Sequence, residues 1–168
     1  MGKAKGASRG RIPASEESPT QKYARRGGFT RVQRGDLGEA AFLLKATSLG
    51  FTVAKPWGNK CFYDFMVDGG GRLLRVQVKS TAYMTGGMYH VGMYHRPYRK
   101  VRPYAESEID FAAVYIVPEE TWYLLPVEEV AERTNMLFRP KGWTRRDPYA
   151  KYREAWHLLR EPDGLIFG

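Results

Sequence analysis

The chain reads as an α/β domain with a mixed central β-sheet flanked by helices, and three stretches carry that reading. Asp36 to Leu49 has apolar residues at helical spacing. Tyr63 to Ser80 has two β-rich segments around Gly69-Gly70-Gly71, the pattern of a β-hairpin. Ile109 to Val117 is a continuous apolar run of strand length with one acid, as expected of a central strand covered on both faces.

The elements follow in order. Residues 1–28 are rich in Gly, Ser, Lys, Arg and Pro without a hydrophobic period, and are expected to form a disordered basic arm. The first helix is placed at Asp36–Leu49. Asp36 is its N-cap, Glu39 completes a capping box, Leu37, Ala40, Ala41 and Leu44 form its apolar face, and Gly50 stops it. Phe51 to Lys55 reads as a strand ended by Pro56-Trp57-Gly58, and the hairpin follows. Cys61, the single cysteine, rules out an intramolecular disulfide, fits a reducing compartment and reads as a small buried residue.

Side chains alternate along a strand, so Arg75, Gln77 and Lys79 share one face of the hairpin, while Leu74, Val76 and Val78 face the core. A short loop sets Asp64 across from Arg75, with Gln77 diagonal at roughly 7–8 Å. Residues 81–105 interleave Tyr83, Tyr89, Tyr94, Tyr98 and Tyr104 with Arg96, Arg99, Lys100 and Arg102. Tyrosines among cations suit base stacking and phosphate contact, and suit equally a Tyr-rich strand pair with charged edges. His90 and His95 are five apart, an odd offset that sets them on opposite faces of a strand and speaks against a shared metal site. Thr121 to Leu125 is a further strand and Val127 to Arg133 a short acidic helix, and an ion pair with a nearby Arg is the default reading of Asp110. The core is thus expected over residues 29–135. Residues 136–168 form a basic, aromatic extension, with a helix at Tyr149–Arg160 presenting Tyr152, Ala155, Trp156 and Leu159 on one face.

The 168 residues carry a net charge of +9, and the excess is clustered. Residues 72–104 hold seven Lys or Arg and no acid. Such blocks mark polyanion binding, most often nucleic acid. No apolar run reaches the length of a membrane span, so no membrane partner is expected. The expected location is the cytoplasm, in association with the nucleoid.

A phosphodiester repels nucleophiles, and a divalent ion held by hard oxygen ligands relieves that repulsion and acidifies a bound water. Asp64 is the first candidate ligand, with the Gln77 side-chain oxygen and the Val78 carbonyl as neutral ligands. Glu39 is a candidate second charge, although its capping role alone would explain it. Lys79 is a candidate to orient the attacking water or stabilise charge on the phosphorane, the alternative being a plain surface lysine.

Asp64 followed by Gln77-Val78-Lys79, behind a helix carrying Gly38-Glu39-Ala40, resembles the PD-(D/E)XK nuclease superfamily. It is most similar to the branch of group I intron-associated homing endonucleases, then to archaeal Holliday junction resolvases. The resemblance runs from about Gly35 to Val130; Tyr63 replaces the usual proline and Gln77 the usual second acid. It implies a restriction-endonuclease-like core of αβββαβ type, with Asp64, Gln77, Lys79 and Glu39 at the active site. It further implies Mg²⁺ (with Mn²⁺ as a substitute), double-stranded or branched DNA as partner, and a homo-oligomer, dimer or tetramer. Arg75, Arg96, Arg99, Lys100, Arg102, Tyr83 and Tyr94 are the candidate DNA contacts. The competing expectations are a Holliday junction resolvase or repair-type nuclease, and a catalytically silent DNA-binding module of the same fold, the last because Gln77 leaves the site one charge short.

Overall fold

The computed structural model describes residues 17–25, 28–58, 60–96, 99–141 and 147–160. Helices α1 (Pro19–Arg25) and α2 (Arg31–Ser48) precede strands β1 (Thr52–Ala54), β2 (Phe65–Asp68) and β3 (Leu73–Thr81). Strands β4 (Met84–Thr85), β5 (Met88–Gly92), β6 (Phe111–Ile116) and β7 (Thr121–Pro126) follow, then α3 (Val127–Val130) and β8 (Asn135–Phe138). The main sheet has five strands in the order β1-β2-β3-β6-β7. Its pairs are antiparallel except β3–β6, which is parallel, so the sheet is mixed as expected. A smaller antiparallel sheet, β4-β5-β8, packs beside it.

Strand β6 is covered on both faces. Phe111, Ala113 and Tyr115 enter one core with Phe42, Phe65, Val76, Trp122 and Trp156. Ala112, Val114 and Ile116 enter a second core with Tyr89, Met93, Tyr104, Tyr123 and Phe138. The apolar side of β3 (Leu74, Val76, Val78) joins the first core, against α2. Its other side, Arg75, Gln77 and Lys79, is half-buried and carries the polar groups.

Five features depart from the sequence expectations. Residues 17–25 of the basic arm are ordered, and Pro19–Arg25 is a helix. Ser18 and Gln21 cap it reciprocally, at 3.1 and 3.0 Å, with Pro19 at its first position. The rest of the expected arm, residues 1–16, 26 and 27, lies outside the described residues, as do Tyr98 and Trp143.

The main helix α2 begins at Arg31, not after Asp36. Thr30 and Gln33 form the capping box, so Asp36 and Glu39 stand inside the helix. Both box-like spacings are present, and the upstream one holds because nothing between them breaks a helix. The face it buries also differs from the expected one: Leu44 is 74% exposed, while Gly38, Phe42 and Ala46 are buried.

The connection from β3 to β6 is built from the β4–β5 hairpin and an extended segment, in keeping with a Tyr-rich strand pair in residues 81–105 and not with the helix that the resemblance implied. Gly86 and Gly87 turn the hairpin with φ of 59° and 77°, the left-handed pair of a tight two-residue loop.

The expected helix at Tyr149–Arg160 is two 3₁₀ turns, Ala150–Tyr152 and Trp156–Leu159. Glu154, at φ 51°, breaks the run; its carboxylate accepts from the Trp122 N–H at 2.8 Å and the Trp156 indole N–H at 2.9 Å. Tyr152, Ala155, Trp156 and Leu159 are nonetheless all buried. Cys61 is exposed, contrary to the expectation of burial, because the segment before β2 runs over the surface. Among the described residues no helix is long and apolar enough to cross a membrane.

Candidate active site

Asp64 sits immediately before β2, where its backbone N–H donates to the Val76 carbonyl at 3.0 Å. The hairpin register pairs Phe65 with Val76 and Met66 with Arg75. This places Asp64 directly opposite Gln77, two residues from the expected partner Arg75 but on the same face. The four-residue loop Gly69–Arg72 sets that register, with the Asp68 carboxylate accepting from Gly70 N–H (2.9 Å) and Gly71 N–H (2.8 Å).

The consequence is a direct contact. Asp64 Oδ2 accepts from the Gln77 side-chain amide at 2.5 Å and from the Val78 N–H at 2.8 Å. The same amide donates to the Val78 carbonyl at 3.1 Å. Rotating the Gln77 amide by half a turn exchanges its NH₂ for its oxygen. The Gln77 oxygen, the Asp64 carboxylate and the Val78 carbonyl would then bound one small volume.

Burial pushes the Asp64 carboxyl up to about 6, and the Glu39 charge pushes in the same direction. The Val78 N–H, Lys79 and Lys55 act against it. Lys79 lies on the same face of β3 and is also desolvated, which holds its ammonium below the usual lysine range despite the attraction of Asp64. Its Nζ is 3.5 Å from the Tyr94 carbonyl and 5.1 Å from the centre of the Tyr104 ring. Lys79 is therefore not a plain surface lysine.

Helix α2 brings Glu39 to this group because Gly38 lets it approach β3 closely. A Cβ at Gly38 would meet the Ser80 Cβ at 2.9 Å, and the Ser80 hydroxyl donates to the Arg34 carbonyl at 2.7 Å. Glu39 is freed from capping and instead pairs with Lys55 at 2.7 Å. Lys55 is an ammonium between the two carboxylates, in hydrogen-bond contact with Glu39 and within electrostatic reach of Asp64.

The candidate DNA contacts divide. Arg75 is turned away from Asp64: its guanidinium holds Asp110 through both carboxylate oxygens (2.9 and 3.0 Å) and donates to the carbonyls of Glu106 and Ser107. Arg102 is tied to the buried Glu108. Arg96 lies over the Tyr94 ring at 5.2 Å, and Arg99, Lys100 and Tyr83 are exposed.

Three further residues stand at the site: Lys55, which the sequence did not single out, and Tyr104 and His95, which it offered in other roles. Lys55 neighbours both carboxylates, Tyr104 lies beneath Lys79, and His95 is 5.1 Å from the Tyr104 ring and 3.3 Å from Glu108. Nothing local in the sequence places them beside Lys79 and the carboxylates, since each reaches the site through the long β3–β6 connection or the end of β1. His90 and His95 do not meet, and among the described residues no three His, Cys, Asp or Glu side chains form a metal cluster. The oxygen set here has two carboxylates, an amide and a backbone carbonyl, hard donors of the kind a divalent ion takes. The raised pKa of Asp64 is the burial cost such a cation would relieve.

The PD-(D/E)XK endonuclease family matches residues 30–159. The solved structure of the bacterial homing endonuclease I-Ssp6803I is similar at 31% identity and a TM-score of 0.69, covering 78% of this chain and 93% of that one. The Holliday junction resolvase Hjc of Archaeoglobus fulgidus is similar at 16% identity and a TM-score of 0.41, covering 63% of this chain and 84% of that one. No curated protein matches. The mixed sheet, the helix delivering Glu39 and the Asp64–Gln77–Lys79 face lie within the matched residues, and the chain belongs to the PD-(D/E)XK endonuclease family.

Proposed function

We propose that this chain is a Mg²⁺-dependent endodeoxyribonuclease of the intron-associated homing type, acting on double-stranded DNA as a homo-oligomer. The observation that carries the reading is the convergence of Asp64, the Gln77 amide and Val78 on one point, with the desolvated Lys79 beside them. Similarity to a homing endonuclease over most of both chains supports that type above junction resolution.

Asp64, the Gln77 oxygen, the Val78 carbonyl and Glu39 would hold the ion. When bound, the ion neutralises charge on the phosphate and acidifies a water. Lys79 Nζ, already stripped of solvent, orients that water or stabilises the phosphorane without further reorganisation. Lys55 leaves Glu39 free to act when the ion is present, because the ammonium is exposed and can move outward. Hydrolysis adds the water oxygen to phosphorus and breaks one phosphoester bond. Two such sites in a symmetric assembly would cut both strands.

The test is plasmid cleavage in Mg²⁺ or Mn²⁺ by the wild type beside Asp64→Ala and Lys79→Ala, followed by selection from a library of target sequences. Cutting at a long, defined site that both variants and EDTA abolish is expected. Equal DNA binding by all three proteins without cutting, over the whole library, would establish a silent binding module instead.

A further inference from the structure

Trp57 has no packing partner among the described residues and is fully exposed, at 103% of its reference area. Tryptophan is on average highly buried, so a bare indole calls for an occupant. Its position supplies one. Trp57 lies two residues after Lys55, which is paired with Glu39, and seven before Asp64. The segment is therefore pinned at both ends to the two carboxylates of the site. Two residues span at most about 7 Å, which keeps the indole within a few nucleotide steps of a phosphate seated on Asp64.

The charge of the segment agrees with such a neighbour. From Lys55 up to Asp64 the sequence carries Lys55 and Lys60 and no acid. Gly58, at φ 87°, turns the chain directly after Trp57. An exposed aromatic ring between cations is the form of a stacking platform for a nucleobase, whose π-face any base presents.

We infer that Trp57 stacks on a nucleobase unstacked at or beside the cleaved step, and so opens the DNA at the site of reaction. The inference rests on the nuclease reading above, and it adds a base contact to a site otherwise made of phosphate-binding groups. A wedge of this kind loosens base stacking next to the scissile bond and fixes the phosphate relative to the carboxylates.

The experiment uses the full chain in EDTA with fluorescein-labelled, mixed-sequence DNA, both as a duplex and as a duplex carrying one mismatch. Affinity and tryptophan emission are measured for wild type, Trp57→Phe and Trp57→Ala. Trp57→Ala is expected to keep the wild-type melting temperature and to bind roughly 5- to 150-fold more weakly, the range of one base–aromatic stack. It should also lose most of the DNA-induced quenching of emission, and the loss of affinity should be larger on the mismatched duplex. Trp57→Phe should restore most of the affinity.

Unchanged affinity and quenching in Trp57→Ala, in a protein that still binds and cleaves DNA, would overturn the stacking and leave the nuclease reading intact. Absence of DNA binding by all three proteins would overturn both. A sedimentation change on Trp57→Ala without any DNA effect would assign the indole to contact between copies of the chain and overturn the proposal.

Discussion

Replacing Asp64 by Asn should make the metal-free protein more stable at neutral pH, although Asp64 is the residue on which the proposed chemistry depends. The ordinary aspartate value is 3.8 and the buried side chain stands at about 6. Ionising it in the folded state therefore costs about 3 kcal/mol more than in the unfolded chain. Partial exposure and the Val78 N–H bond, which Asn retains, bring the expected gain to about 1–3 kcal/mol. For a chain of this length that is roughly 3–10 °C in melting temperature.

The sign follows from proton binding. Below about 4 the carboxyl is neutral in both states and the penalty is absent; it grows between about 4 and 6 and is complete above 6. The stability gap between Asp64→Asn and wild type should open over that interval. Excess Mg²⁺ at pH 7 should close it by stabilising the wild type alone. The assay is urea denaturation of both proteins from pH 3.5 to 8, in EDTA and in Mg²⁺. An Asp64→Asn variant less stable than wild type at pH 7 in EDTA, or a gap independent of pH, would refute the reasoning.

Three further outcomes are expected. Lys79→Met should abolish cleavage by a hundredfold or more while leaving stability equal or slightly higher, since a desolvated ammonium is removed; loss of folding in urea titrations would contradict this. Arg75→Ala should cost about 1–3 kcal/mol of stability by stranding Asp110 and two carbonyls. Its DNA affinity, measured well below the melting temperature, should change little, and a large specific loss would return Arg75 to the DNA interface. Gly38→Ala should lose about 1–3 kcal/mol in chemical denaturation in spite of alanine's helix propensity, because the added methyl meets Ser80.

The polar face of β3 was legible because strand alternation alone groups Gln77 with Lys79 and buries Val76 and Val78. The partner of Gln77 was not, because Asp68, three glycines and Arg72 allow a loop centred one residue earlier or later, and the resulting shift of two residues keeps the same face. The role of Arg75 was hidden for another reason: its partner Asp110 is 35 residues away and becomes a neighbour only through the parallel β3–β6 pair. Two capping boxes competed for the start of α2, and within the helix apolar spacing alone named Leu44, which is exposed, and left out Phe42, which is completely buried. At the C-terminal end the apolar spacing correctly marked four buried residues, but spacing alone did not reveal the left-handed Glu154 that divides the helix into two turns.

The order in which the chain is made gives the C-terminal turns a further meaning. Trp156 packs on Phe42 at 5.7 Å and on Trp122 at 5.6 Å, and Phe42 stacks at 5.2 Å on Phe65, the residue after Asp64. Beyond it, the Gly69 turn of the hairpin that follows Asp64 lies against the Leu159 carbonyl. The hairpin therefore lacks part of its backing until residues near 160 have been synthesised. A ribosome-bound chain stopped before Trp156 should not cut DNA, and one released a few residues past Leu159 should. Synthesis itself would then act as a safety catch, holding the cutting activity back until the residues around Trp156 and Leu159 have been made.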